Sequence, residues 1–226
     1  MHRWNCRVVF WGLGTLLCLL LGKANSFNAD FQLGNGTLGK PGGLAFDPIA
    51  RTLFVSDSDN NRVLRYDNID SLPASKGPSV LFGQVNMTET SPNRNLSAPN
   101  AATLYRPLGI DLDSSGTLWV CDSLNNRVLW YYNASRITAS GVRADGFLGQ
   151  QNFSSAIPAV SQIGITNPFD ISVENGFVWV ADQYAMRYFS FFFIIFSFQH
   201  QTNATGCLSI RCLPAHLPTI QPLLGW

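Results

Sequence analysis

Histidine is scarce: three occur in 226 residues, and His2, His200 and His216 all lie outside residues 27–190. Catalytic and structural zinc sites are built from His and Cys ligands, so the middle of the chain has no such set. Cysteine is scarce too. Cys6, Cys18, Cys121, Cys207 and Cys212 are scattered and never cluster with histidine, which excludes a zinc-binding module of the RING or B-box kind. Neither G-x-S-x-G nor H-E-x-x-H appears, which removes the signatures of the serine hydrolase elbow and the zinc protease helix. There is no excess of charge: 15 Lys and Arg face 14 Asp and Glu, for a formal net charge of +1. A near-neutral chain lacks the field that draws nucleic acid or acidic lipid. Two partial motifs fail on context. Residues 34–39 spell G-x-G-x-x-G, but Lys40-Pro41-Gly42-Gly43 forbids the helix that a dinucleotide site requires. Asp57-Ser58-Asp59-Asn60-Asn61 begins like a calcium loop, yet an EF-hand needs Gly at its sixth position and Glu at its twelfth, where this chain has Arg62 and Asn68. No cofactor, no metal and no catalytic residues are therefore expected.

What is present is repetition. Residues 53–66, LFVSDSDNNRVLRY, return at 118–131 as LWVCDSLNNRVLWY and, altered, at 178–189 as VWVADQYAMRYF. Each copy is preceded at the same distance by a proline-led strand: PGGLAFD from Pro41, PLGIDLD from Pro107 and PFDISVE from Pro168. The turns between are DPIART, DSSGT and ENG, rich in residues that tolerate tight turns. The middle strand is continuously apolar, as expected of a strand buried on both faces. A fourth apolar piece follows the first two copies, VLFGQ from Val80 and GFLGQ from Gly146. Four strands per copy at a period of about 60 to 66 residues is the pattern of propeller blades.

DSDNNRVL from Asp57 and DSLNNRVL from Asp122, with the Pro-x-Gly leads at Pro41 and Pro107, resemble the NHL repeat of six-bladed β-propellers. The resemblance spans roughly residues 38–190. In the third copy, Asp170 replaces the leading glycine and Ala185-Met186 replace Asn-Asn. It implies an all-β fold of NHL-type β-propeller blades, four-stranded antiparallel sheets in an incomplete ring of about two or three. The repeated positions read as structural. Asp57, Asp122 and Asp182 sit at strand ends, where a carboxylate is expected to accept backbone N–H groups of the turn. The pairs Asn60-Asn61 and Asn125-Asn126 suit the positive φ that a tight hairpin demands. Arg62, Arg127 and Arg187 are expected to lay their stems along the blade and meet a carboxylate or carbonyl. Ser56, Cys121 and Ala181 share one position that calls for a small residue.

Three domains follow: 1–26, 27–190 and 191–226. The first reads as a signal peptide, with Arg3 and Arg7 before an apolar run at 8–21 and a small-residue cleavage site at Ala24-Asn25-Ser26. Its removal takes away Arg3, Arg7 and Lys23 and moves the formal charge from +1 to −2. The alternative is a membrane anchor formed by the same run. Six N-x-S/T sequons, at Asn35, Asn86, Asn95, Asn133, Asn152 and Asn203, fit a secreted, glycosylated protein. Residues 191–226 hold no repeat, and the aromatic run at 188–198 is too short to span a bilayer. The chain is expected either to leave its natural reading frame near Arg187 or to carry a genuine tail that lies on lipid. Two and a half blades cannot close, so the chain is expected to be a fragment of a longer propeller or to self-associate through its open faces. The function expected is that of a secreted or cell-surface scaffold, not an enzyme, holding a protein or glycan on its rim loops. Of these, residues 88–103 with Arg94 are the first choice. The alternative is an extracellular propeller lyase or hydrolase with its metal-binding residues elsewhere. Intracellular RNA-binding relatives need a cytosolic address and a basic rim, which this sequence lacks.

Overall fold

Alternation of Pro-Gly leads, β-branched and aromatic runs, and Asp/Asn/Gly turns leaves helix no footing. Among the described residues the only helical pieces are single 3-10 turns. The computed structural model describes residues 32–33, 36–71, 77–159, 164–174, 176–182 and 195–199. A short hairpin, β1 (Gln32–Leu33) with β2 (Gly36–Thr37), precedes the repeats. The first sheet runs β3 (Pro41–Asp47), β4 (Thr52–Asp57), β5 (Arg62–Tyr66) and β6 (Val80–Phe82), each strand antiparallel to the last. The second repeats it with β7 (Pro107–Leu112), β8 (Leu118–Asp122), β9 (Arg127–Tyr131) and β10 (Gly146–Leu148). The third contains β11 (Pro168–Glu174), β12 (Phe177–Asp182) and β13 (Ile195–Gln199).

Register repeats as well as order. Pro41 lies opposite Asp57, Pro107 opposite Asp122 and Pro168 opposite Asp182, each beside a β-bulge. In the third sheet the strand beside β12 is Ile195–Gln199, within the segment read from the sequence as a tail. Arg187, expected to open that strand, lies outside the described residues.

The sheets stack face to face. Phe54, Val63, Val80 and Phe82 of the first meet Ile110, Leu118, Val120, Leu129 and Tyr131 of the second. Trp119, Cys121, Val128, Trp130 and Leu148 on the second sheet's other face meet Ile171, Val178 and Val180 of the third. The middle strands β4 and β8 are buried throughout, as a strand covered on both faces must be. Two glycines let the inner strands approach. A Cβ on Gly109 would stand 2.6 Å from the Asp170 Cα, and one on Gly43 would stand 3.0 Å from the Leu108 carbonyl oxygen. Asp170, in the third copy's glycine position, thus packs its backbone against Gly109. The third sheet's outer face is open: Trp179 is 39% exposed, whereas its repeat equivalents Phe54 and Trp119 are 0% and 1% exposed.

The segment 134–145, read from the sequence as a loop, is a strap across the first two sheets. Arg65 Nη1 donates to the carbonyls of Ala134 and Ile137 at 2.7 Å each, and Ser135 Oγ donates to Asp47 at 2.6 Å. Gly141 N–H then donates to the Leu81 carbonyl at 2.8 Å, which covers the free edge of β6 and denies it to other strands.

Candidate functional site

Because β3, β7 and β11 begin where β4, β8 and β12 end, one edge of the stack collects the Asp-to-Arg turns and the long connections 83–106 and 149–167. This edge is the part of the molecule with the most exposed, irregular chain, and the repeated residues hold it in place. Arg62 Nε donates to Asp57 Oδ2 at 2.8 Å and Arg127 Nε to Asp122 Oδ2 at 2.7 Å, both pairs being essentially out of solvent. The other carboxylate oxygen reaches back to the blade's lead. Asp57 Oδ1 accepts the Gly39 N–H at 2.6 Å, and Asp122 Oδ1 accepts the Tyr105 N–H at 2.7 Å. Asp182 does the same through Oδ2, which accepts the Thr166 N–H at 2.9 Å. The sequence reading placed these bonds within the turn. They run instead to a segment 16 to 18 residues upstream and tie each lead to its middle strand.

The asparagines divide their work. Both members of each pair were expected at positive φ, but only the second, Asn61 or Asn126, takes it, with φ of 54°, while Asn60 and Asn125 donate to the aspartates. Asn61 Oδ1 accepts the Arg106 N–H at 2.8 Å and Asn126 Oδ1 accepts the Asn167 N–H at 2.9 Å, so each asparagine latches the following blade. Their Nδ2 groups donate to the carbonyls of Thr90 and Ala156, both at 2.8 Å. Ser58 and Ser123 add hydroxyl bonds to the carbonyls of Pro107 and Pro168. Gln84 and Gln150, whose role the sequence did not disclose, donate to the carbonyls of Ser91 and Ile157 at 2.8 and 2.9 Å.

Of residues 88–103, read from the sequence as a loop, 88–98 are exposed or half-buried, but the end of the segment is held in the core. Ala101, Ala102 and Thr103 are buried with Leu104, and Arg127 Nη2 donates to the carbonyls of Asn100 and Thr103 at 3.0 and 3.1 Å. Arg94 is not presented to a ligand either. Its Nε donates to the Gly83 carbonyl at 3.0 Å, and burial lowers its pKa from the ordinary guanidinium value. Among the polar residues exposed on the edge stand a few aliphatic ones. Leu124 stands in the second Asp-to-Arg turn where the first copy has Asp59, and Leu96 and Ile157 flank it. The flanking is fixed by hydrogen bonds. Asn93 and Asn125 join side chains in both directions at 3.0 and 2.9 Å, and Leu96 N–H donates to the Asn93 carbonyl. Asn126 holds Ala156, and Ile157 N–H donates to Gln150 Oε1 at 3.1 Å. Leu96, Leu124 and Ile157 are thus three exposed aliphatic residues, an apolar stripe set among polar neighbours, on segments tied to the second blade.

The inner strands offer a second candidate, which the fold consumes. Burial raises the pKa of Asp111, and Asp170 and Asp113 push it further, but its two oxygens accept the N–H groups of Leu112 and Val173 at 2.8 and 2.6 Å. It bridges β7 to β11. Among the described residues, no three His, Cys, Asp or Glu side chains gather as a metal site would need. Cys121 is buried, and burial pushes its thiol well above the ordinary value, as for an inert core residue. Of the sequons, Asn86, Asn95, Asn133 and Asn152 are all exposed, the first two and Asn152 on the stripe's edge of the molecule. Asn35, Asn203, the signal-peptide segment and Cys207 and Cys212 lie outside the described residues. No described helix is long and apolar enough to cross a membrane.

No curated protein matches the chain. Among solved structures it is similar to virginiamycin B lyase from Staphylococcus aureus (16% identity, 82% of this chain and 45% of that one, TM-score 0.41). It is likewise similar to a gluconolactonase from Xanthomonas campestris (14% identity, 88% and 54%, TM-score 0.43) and to a luciferin-regenerating enzyme (16%, 67% and 40%, TM-score 0.42). The chain thus spans between 40% and 54% of the length of these structures. Identity at this level carries no activity across. Residues 104–131 match the NHL repeat, covering the second lead, middle strand, latched turn and Arg127 strand. The described chain is thus all-β, two four-stranded antiparallel sheets and a third of three strands, and its residues 104–131 match the NHL repeat.

Proposed function

We propose that the chain is a secreted or cell-surface scaffold that binds a protein partner on the edge carrying Leu96, Leu124 and Ile157. The observation that carries this reading is the stripe itself: three exposed aliphatic side chains on a frame of buried, hydrogen-bonded turns. Single exposed apolar residues need no explanation, but several gathered on one edge by a rigid support favour an interface. Preorganised loops lose little freedom on binding, so the frame favours affinity. The stripe has no aromatic platform and no charge, which suits the apolar surface of a protein better than a sugar ring. Secretion is supported by residues 1–26 and by the sequons.

The test is capture from conditioned medium and cell surfaces with the tagged full chain, quantified by mass spectrometry. A variant carrying Leu96→Ser, Leu124→Asp and Ile157→Ser is compared with Ile49→Ser, which alters an exposed residue on the opposite edge. Partners lost with the first variant and kept with the second support docking on the stripe. Equal capture by both would remove it.

A further inference from the structure

Two of the sequons occupy the same place in successive repeats. Gly83-Gln84-Val85-Asn86-Met87-Thr88 follows the first sheet and Gly149-Gln150-Gln151-Asn152-Phe153-Ser154 follows the second. In both, the asparagine closes a turn with its side-chain oxygen. Asn86 Oδ1 accepts the Thr88 N–H at 3.0 Å and the Thr88 hydroxyl at 2.8 Å, and Asn152 Oδ1 accepts the Ser154 N–H at 2.9 Å and the Ser154 hydroxyl at 2.8 Å. The residue inside the turn then presents its carbonyl to the repeat arginine. Met87 accepts from Arg62 Nη1 at 2.8 Å and Phe153 from Arg127 Nη1 at 2.6 Å. The Asn and the Thr or Ser two residues later thus shape the turn that presents this carbonyl. Asn95 and Asn133 differ: both stand in left-handed backbone, with φ of 60° and 48°, and Asn133 makes no side-chain cap.

We propose that Asn86 and Asn152 serve two purposes with two atoms of one carboxamide: Oδ1 caps the turn that feeds the buried arginine, and Nδ2 carries an N-linked glycan. This rests on the secretory reading above. In the transfer, Nδ2 attacks the anomeric carbon of a lipid-linked diphospho-oligosaccharide. The bond from that carbon to the diphosphate breaks, the lipid diphosphate leaves, and Nδ2 gives up one of its two protons. Oδ1 and its hydrogen bonds are untouched, and the remaining Nδ2–H can keep the 3.1 Å bond that Asn86 makes to Glu89. Both side chains are exposed, so a glycan projects from the edge beside the stripe without displacing core.

The experiment reads occupancy and stability separately. The full chain is expressed in secretory cells, and each sequon is scored by peptide mass spectrometry after enzymatic deglycosylation in heavy-oxygen water. Asn86 and Asn152 are expected to be occupied. If Asn95 or Asn133 is modified while these two are empty, the glycan half fails although secretion stands. If no sequon is modified, the secretory reading falls and takes the glycan half with it. Unglycosylated protein from bacteria tests the cap. Asn152→Asp, which keeps the accepting oxygen, is expected to melt with the wild type, and Asn152→Ala about 2–4 °C lower. Equal melting of the two variants overturns the capping role.

Discussion

Arg62 and Arg127 are among the largest fully buried side chains in the molecule, and each is neutralised by an aspartate and surrounded by carbonyl oxygens. Removing one partner of such a pair strands the other charge in the core. Arg127→Ala is therefore expected to destabilise the chain by about 3–5 kcal/mol in chemical denaturation. Arg51, which pairs with Asp70 in the open, provides the contrast. Arg51→Ala is expected to leave the denaturation midpoint unchanged, because solvent screens that pair. Asp113 gives a pH signature. Burial raises its pKa, but bonds from Ser115, Thr117 and Trp119 outweigh this and hold it below the ordinary 3.8. A lowered folded pKa means that this group's stabilisation is complete above 3.8 and is lost as pH falls through the folded value. Asp113→Asn should accordingly flatten the acid limb of stability against pH below about 4, followed by Trp119 fluorescence.

At the scale of strands and turns, the contact between blades depends on the absence of a side chain. Gly109→Ala would place a methyl group 2.6 Å from the Asp170 Cα, a backbone atom that cannot swing aside. The expected cost is about 1–3 kcal/mol by denaturation, as for other overpacked sites. Gly116→Ala in an open turn tests a different term, backbone conformation at φ 81° with no neighbour to meet. Strand order and the Asp-Asn-Arg turns were legible in the sequence because local patterns encode them. Alternation, turn residues and a strict repeat act within a few residues of one another. The asparagine pair was legible only in part. Positive φ in the turn follows from turn chemistry, but which member takes it does not, and the bond to the next blade depends on a segment some 40 residues away. Residues 99–104 read as loop because their small and polar composition hides them, yet Arg127 draws them into the core. Leu124 was visible as a departure from Asp59. Its neighbours Leu96 and Ile157 join it only through hydrogen bonds that no spacing rule predicts.

At the scale of the whole molecule, two surfaces among the described residues are candidates to meet something else. The outer face of the third sheet exposes Trp179 at a position that the next blade covers in both earlier copies. The purified chain is therefore expected to self-associate in light scattering, with Trp179→Glu shifting it toward monomer. An unchanged mass distribution would show that this face does not drive association. The other surface is the latched edge, and there the repeat has fixed the support while leaving the exposed residues free to differ between copies, as Asp59 and Leu124 do. Function in such folds resides in the site and not in the scaffold. The most direct test places a photoactivatable leucine analogue at position 124 and, separately, at position 49 on the opposite edge, in chain secreted by living cells. Docking on the stripe predicts a discrete protein adduct from position 124 and none from position 49. Equal labelling from the two positions, or none from 124, would contradict it.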